Sequence, residues 1–203
     1  MLLAITGWFA LVVQLYLIVH HLSQSSGFLH SVTNYFSFFT IESNLLVAIC
    51  CTAILVRPGS GMGKWFSSAK VQSAIAVYIV IVGFVYTLLL RKLWNPQGWQ
   101  LVADTLLHDV IPVLYVLFWI FFVPKGNLQY KNAFNWLSFP LAYVLYTMIR
   151  GAITNWYPYP FLRVTDLGYG QVVVTILILA FAIWLTGLAF VTADKVLYKA
   201  KSK

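Results

Sequence analysis

Six long apolar runs alternate with short polar segments along the chain. A membrane-spanning helix needs roughly 17–25 mostly apolar residues, and each run has that length. The pattern therefore predicts an all-α polytopic membrane protein, a single domain over residues 1–203 that forms a bundle of six transmembrane helices. The predicted spans are Leu2–Val19, Tyr35–Val56, Val71–Leu90, Leu101–Val123, Phe134–Thr154 and Gln171–Val191.

Composition and charge refine this class. Hydrophobic residues make up 61% of the chain and charged residues 9%, whereas soluble domains have about 45–50% apolar and about 25% charged residues. Lysine and arginine favour the loops after the second and fourth spans and the segment after the sixth. By the positive-inside rule we expect both termini to be cytoplasmic and the protein to lie in the cell membrane. The net charge of +8 is then explained by topology and contact with membrane lipids, so no nucleic-acid partner is predicted.

Polar and ionisable residues inside the apolar runs concentrate in the predicted outer half of the bundle. Such groups are costly in a bilayer and usually face a protein interior or a wet cavity. We therefore expect a buried site beneath the outer leaflet. The residues concerned are Thr40, Glu42, Ser43, Asn44, Asp104, His108, Asp109 and Arg150.

Three of these residues share one face of the second span. Thr40, Ser43 and Asn44 stand at i, i+3 and i+4. Counted from Tyr35, Thr40 is predicted roughly 7–8 Å below the start of its helix. In one interpretation the hydroxyls bond back to helix carbonyls and Asn44 joins two helices. In the other, Thr40 is a nucleophile, which requires a base nearby.

The fourth span supplies a candidate base. Asp104 and His108 stand at i and i+4, and His108 is predicted roughly 10 Å into its helix, a depth near that of Thr40. A neutral imidazole accepts a proton from a hydroxyl, and a carboxylate one turn away can fix its tautomer. The alternative is that Asp104 and His108 satisfy each other structurally. Pro112 is expected to kink this helix.

Arg150 lies at the outer end of the fifth span, one turn beyond Tyr146. An arginine there is unexpected under the positive-inside rule, so we expect it to have a partner. It is a candidate to bind a substrate carboxylate or phosphate, with Tyr146 beside it. The alternatives are contact with lipid phosphate or an ion pair with Glu42 or Asp109. Asp109 itself is expected to pair with Arg91 or Arg150.

No metal or organic cofactor is predicted. Only His108 among the four histidines lies well inside an apolar run, so the paired axial ligands of a transmembrane haem are missing. The sequence contains no HExxH, GxSxG, Walker A or CxxC motif. The adjacent Cys50 and Cys51 point away from each other on a helix and are predicted to be small core residues.

Three segments carry a resemblance to a known family, namely Phe38-Phe-Thr-Ile-Glu-Ser-Asn44, Leu107-His-Asp-Val-Ile-Pro112 and Tyr146–Leu162, which contains Trp-Tyr-Pro-Tyr-Pro-Phe. They resemble the bacterial predicted six-transmembrane (Pr-six-Pr) membrane-protein family. More distantly, the chain resembles the androgen-induced (FAR-seventeen-a-like) family of eukaryotes. The resemblance covers essentially all six spans, and its most specific part is the third segment.

The resemblance implies an activity. The eukaryotic relatives are multipass hydrolases that cleave fatty acid esters of hydroxy fatty acids with a threonine nucleophile and a histidine, and Thr40 and His108 match those positions. It implies a hydrolase of a lipid ester that enters from the outer leaflet. Asp104 would then orient His108, and Ser43 or Asn44 would donate to the oxyanion.

Two other functions are compatible with the same polar residues. One is a lipid-binding or transport protein whose pocket holds a headgroup, and the other is a structural subunit whose polar side chains only join helices. The hydrolase alone requires Thr40 and His108 within hydrogen-bonding reach, roughly 2.6–3.2 Å or somewhat looser before substrate binds.

The predicted topology can be tested with single cysteines in two loops. Because Ser60 follows the second span, Ser60→Cys is expected to resist a membrane-impermeant maleimide added to intact cells, whereas Ser25→Cys is expected to react. The unchanged chain controls for reaction of Cys50 and Cys51. External labelling of Ser60→Cys would overturn the orientation.

Overall fold

A computed structural model of the chain describes the backbone of residues 1–201 and the side chains of residues 1–20 and 27–200. The side chains of Ser25, Lys201 and Lys203, on which part of the topology prediction rests, lie outside the described residues. The chain is 83% helical, with no strand in its described part. Six helical segments are long and apolar enough to cross a membrane, and they are Leu2–His20, Phe39–Val56, Ala69–Leu90, Gly98–Phe122, Tyr130–Thr154 and Val164–Ala200.

The predicted all-α membrane class and the six spans are therefore confirmed, and the protein is an integral membrane protein. The cytoplasmic placement of the termini stays a prediction. By the contacts between residues, the chain divides into two compact units, Met1–Pro124 and Lys125–Lys203. The organisation as a single domain stays a prediction as well.

The first unit contains seven α-helices and two π-helical turns. The turn Tyr86–Leu90 continues α5, and the turn Leu106–Val110 joins α6 to α7. The helices are α1 (Leu2–Ser26), α2 (Phe28–Tyr35), α3 (Phe39–Val56), α4 (Gly61–Phe66), α5 (Ala69–Val85), α6 (Gly98–Thr105) and α7 (Ile111–Phe122).

The described part of the second unit contains three α-helices. They are α8 (Tyr130–Asn135), α9 (Ser138–Thr154) and α10 (Val164–Lys201), with a short 3₁₀ turn, Pro160–Leu162, before α10. Gly168 interrupts α10 with a φ of 75°, a conformation that glycine adopts without a steric penalty. The carboxylate of Asp194 on α10 accepts a hydrogen bond of 3.1 Å from the Leu128 N–H, which ties the loop before α8 to α10.

Small residues and polar bridges join the helices of the first unit. Lipid is as apolar as leucine, so helices in a bilayer associate mainly by close packing and interhelical hydrogen bonds. Gly7 of α1 faces Ala48 of α3, where an added Cβ would lie 3.2 Å from the alanine side chain. The Trp119 indole donates to Ser73 Oγ over 2.7 Å, which links α7 to α5.

The second span begins later than predicted. A helix from Tyr35 was expected, but α2 ends at Tyr35 and α3 begins at Phe39, after Phe38 in an extended conformation. The Tyr35 hydroxyl donates to the Leu11 carbonyl over 2.9 Å and anchors the end of α2 on α1. Burial raises the pKa of Tyr35, so the phenol stays a neutral donor. Thr40 is thus the second residue of its helix, and its predicted depth below the helix start is wrong.

Gly151 offers a test of packing in the second unit. A Cβ at this position of α9 would overlap the buried ring of Tyr157. Gly151→Ala is therefore expected to lower the free energy of unfolding by about 1–3 kcal/mol, as overpacking does. Gly170→Ala is the control, because an added Cβ there meets nothing within 4 Å. Unfolding of both variants in detergent micelles measures the difference, and equal stabilities would contradict the packing role of Gly151.

Candidate active site

His108 lies in the π-helical turn Leu106–Val110. The following Pro112 has no N–H, and a proline ring crowds the carbonyl four residues earlier, here that of His108. In the π turn the Ile111 N–H instead bonds the Leu106 carbonyl, one residue further back than in an α-helix. The irregularity that Pro112 was expected to cause therefore takes the form of a widened turn around His108.

Gly83 of α5 packs directly against this turn. A Cβ at position 83 would lie 2.9 Å from the His108 carbonyl oxygen and 3.5 Å from Pro112 Cβ. The missing side chain lets the backbone of α5 approach the π turn closely, as small residues do between membrane helices. Gly83 thus sets the distance between α5 and His108.

Thr40 and His108 meet across the first unit. Thr40 Oγ1 lies 3.4 Å from His108 Nε2. Both groups are largely shielded, since Thr40 is 8% exposed and the His108 side chain is 12% exposed. The distance is slightly longer than a tight hydrogen bond, and catalytic pairs are commonly this loose before substrate binds.

The surroundings of the other ring nitrogen assign the tautomer. His108 Nδ1 lies 2.9 Å from the carbonyl oxygen of Asp104 and 3.3 Å from its carboxylate Oδ1. A carbonyl oxygen can only accept, so the ring proton is assigned to Nδ1. Nε2 then presents its lone pair to Thr40, and the threonine hydroxyl donates. The contact predicted between Asp104 and His108 is present.

Thr40 lies at the start of its helix. Thr40 is the second residue of α3, and Phe36, four residues earlier, lies in the preceding turn. Its hydroxyl is presented to the junction of α6 and α7.

Asn44 ties α3 to the π turn. Its amide nitrogen donates to the Thr40 carbonyl over 2.8 Å and to the Leu107 carbonyl over 3.2 Å. An amide nitrogen has two hydrogens, and these two acceptors use both. Asn44 is therefore a helix-joining residue and has no hydrogen left for an oxyanion. Of the two donors proposed from the sequence, the geometry leaves Ser43, whose buried hydroxyl has no hydrogen-bond partner among the described residues.

Tyr86 is part of the site, although the sequence pattern did not indicate it. Its ring stacks on the His108 imidazole, with centroids 3.9 Å apart and planes inclined by 14°. Its hydroxyl donates to Asp104 Oδ2. The available signal was its place in the predicted outer half of the third span, but the residues three and four positions later are leucines, so no polar face marked it.

An ion pair lies beside these residues. Asp109 pairs with Arg91, one of the two partners expected for it. The Arg91 guanidinium also lies 5.0 Å from the centroid of the Tyr86 ring. The side chains of Arg91 and Asp109 are 46% and 39% exposed, so this ion pair is far more exposed than the contact between Thr40 and His108.

Arg150 and Tyr146 belong to α9 in the second unit. The Arg150 guanidinium lies 4.5 Å from the ring centroid of Trp156, a favourable cation–π arrangement. Tyr146 is partly exposed. Their roles in substrate binding stay predictions.

The described residues contain no group of three or more histidine, cysteine or acidic side chains that could hold a metal ion. Cys50 and Cys51 are buried, free thiols, as the sequence predicted.

Comparisons with protein-family models, curated proteins and solved structures give no match to this chain. Any function must therefore be inferred from the geometry of Thr40, His108, Asp104 and their neighbours.

Asn44 can be tested as the joint between α3 and the π turn. Asn44→Ala removes the amide that donates to two carbonyls, so the buried Leu107 carbonyl loses its hydrogen bond from Asn44. We expect a loss of about 1–3 kcal/mol in the free energy of unfolding, the usual cost of an unsatisfied buried group. Asn95→Ala, at an exposed loop position, is the control. A denaturant series in micelles that gives both variants equal stability would contradict the role of Asn44.

Proposed function

We propose that the protein is an intramembrane hydrolase of a lipid ester, with Thr40 as nucleophile and His108 as general base. One observation carries the proposal. His108 Nε2 faces Thr40 Oγ1 at 3.4 Å, while its protonated Nδ1 is directed at Asp104. The nucleophile thus faces the base, and the base faces the orienting carboxylate. This is the arrangement that activates a hydroxyl.

Acylation is the first half of the proposed reaction. His108 Nε2 takes the hydroxyl proton as Thr40 Oγ1 attacks the acyl carbon, and the carbonyl electron pair moves onto oxygen. Collapse of this tetrahedral oxyanion breaks the bond to the alcohol oxygen, which takes the proton from His108. The products are an acyl ester on Thr40 and the free alcohol. The Asp104 carboxylate stabilises the intervening imidazolium.

Deacylation repeats these steps with water as the nucleophile. His108 Nε2 takes a proton from water as the water oxygen attacks the acyl carbon. Collapse then expels Thr40 Oγ1, which recovers its proton from His108, and a fatty acid leaves. The net reaction is ester plus water to acid plus alcohol. The buried Ser43 hydroxyl is our candidate donor to the oxyanion in both halves.

The surroundings of these residues favour a lipid substrate. The nucleophile and base belong to helices that cross a membrane, where a fatty-acyl ester is concentrated and a small water-soluble ester is not. With the topology expected from the positive-inside rule, the site would lie toward the outer leaflet of the cell membrane. The resemblance to the Pr-six-Pr and androgen-induced families supports the same two residues. The hydrolase needs no metal or organic cofactor for these steps.

A fluorophosphonate probe tests the assignment on purified protein in micelles. Labelling is expected to be lost in Thr40→Ala and to slow by about 100-fold or more in His108→Ala, since a general base contributes about 10²–10⁴. Thr40→Ser keeps a hydroxyl and is expected to be labelled.

Matched controls are available for both residues. Thr186→Ala removes a threonine hydroxyl that bonds its own helix, and His30→Ala removes an exposed histidine. Both are expected to label like the wild type. Labelling that survives in both Thr40→Ala and His108→Ala would contradict the proposal that the protein is a hydrolase. Lipid binding by an unlabelled wild type would favour the lipid-binding alternative.

A further inference from the structure

The plane of the His108 ring needs a restraint from outside its own side chain. The torsion that turns an imidazole about its bond to Cβ has broad minima, so the side chain alone does not direct Nε2. The 2.9 Å contact between Nδ1 and the Asp104 carbonyl fixes one edge of the ring. Rotation about that edge would still carry Nε2 away from Thr40.

Tyr86 supplies a restraint on this rotation. With 3.9 Å between centroids and 14° between planes, its ring covers one face of the imidazole. Tyr86 is itself buried, with 5% of its surface exposed. A tilt of the imidazole toward that side would drive it into the phenol ring.

The Tyr86 hydroxyl also restrains the partner of the base. Asp104 Oδ2 accepts from Tyr86, while Asp104 Oδ1 lies 3.3 Å from His108 Nδ1. The two carboxylate oxygens are thereby assigned to different donors. A carboxylate held in this way cannot rotate away from the imidazole without losing a charge-assisted hydrogen bond.

The backbone around Tyr86 favours this arrangement. Tyr86 opens a π-helical turn in which the Arg91 N–H bonds the Tyr86 carbonyl over 2.8 Å. One turn earlier, Gly83 allows α5 to approach the His108 carbonyl. Tyr86 and His108 thus both lie in π turns. Such turns are rare in proteins, and many of those that exist lie at functional sites.

We propose that Tyr86 is a positioning residue, whose ring holds the plane of His108 and whose hydroxyl holds Asp104, so that Nε2 stays directed at Thr40. The proposal rests on the hydrolase proposed above for its catalytic consequence. Its structural content, the control of the His108 ring, can be measured without turnover.

Kinetics separate the ring of Tyr86 from its hydroxyl. Tyr86→Phe keeps the stack and loses the hydrogen bond, so kcat for a fluorogenic fatty-acyl ester is expected to fall about 10- to 100-fold with KM little changed. Tyr86→Leu loses both contacts and is expected to be slower still. Tyr78→Phe is the matched control, because it removes a buried phenol hydroxyl from the same helix, and its kcat is expected to equal that of the wild type.

Two readouts on His108 do not depend on hydrolysis. In protein with ¹⁵N-labelled histidine, the Nδ1 resonance of His108 is expected to move in Tyr86→Phe and to stay in Tyr78→Phe. Modification of His108 by diethyl pyrocarbonate, scaled to that of His30 and followed by mass spectrometry, is expected to rise several-fold in Tyr86→Leu and not in Tyr86→Phe.

The outcomes distinguish the two proposals. If Tyr86→Phe keeps both kcat and the Nδ1 resonance of the wild type, the positioning role is overturned. If His108 modification stays at the wild-type rate in Tyr86→Leu, the stacking role is overturned. If the wild type hydrolyses no ester while both His108 readouts change as expected, the hydrolase fails and the control of the His108 ring by Tyr86 stands.

Discussion

The site depends on the absence of one backbone hydrogen bond from the fourth span. Pro112 occupies the donor position of that bond and has no N–H. A regular α-helix would bond the N–H of residue 112 to the His108 carbonyl. Without that donor the chain forms the π turn Leu106–Val110, and Gly83 lets α5 pack against it. Irregular backbone at membrane depth is tolerated where protein surrounds it. The same packing that accommodates the irregularity therefore brings Tyr86 onto His108.

Several polar groups of the first unit offset one another's burial. Asp104 accepts from Tyr86 and lies beside the protonated nitrogen of His108, and Asn44 satisfies carbonyls on two helices. Removing one partner of such a set leaves a buried group uncompensated, which is strongly destabilising. Of the interpretations that the sequence left open for the second span, the helix-joining role of Asn44 is present in the structure, and the nucleophilic role of Thr40 belongs to the proposed function. Asn44 joins helices, whereas Thr40 presents its hydroxyl to an imidazole.

Helical periodicity and the distribution of polar residues predicted the six spans, the contact of Asp104 with His108 and a common level for His108 and Thr40. The predicted depths of Thr40 and His108 below the starts of their helices were wrong, because the helices begin at other residues than predicted, α3 at Phe39 and α6 at Gly98. Depth along one helix does not give depth in a bundle whose helices start at different heights. Tyr86 could not be predicted, since its role arises from the packing of two π turns and not from a pattern along its own helix.

The two nitrogens of His108 make contacts of different length, and this difference is consistent with the proposed hydrolase. Nδ1 lies 2.9 Å from a carbonyl oxygen, a normal hydrogen-bond length. Nε2 faces Thr40 at 3.4 Å, a distance that contributes little to stability. A pair whose function was only to join α3 to the fourth span would gain from a shorter bond, and Asn44 already provides that joint. In the proposed hydrolase, the contact of Nδ1 fixes the tautomer, and Nε2 presents its lone pair for a proton from Thr40.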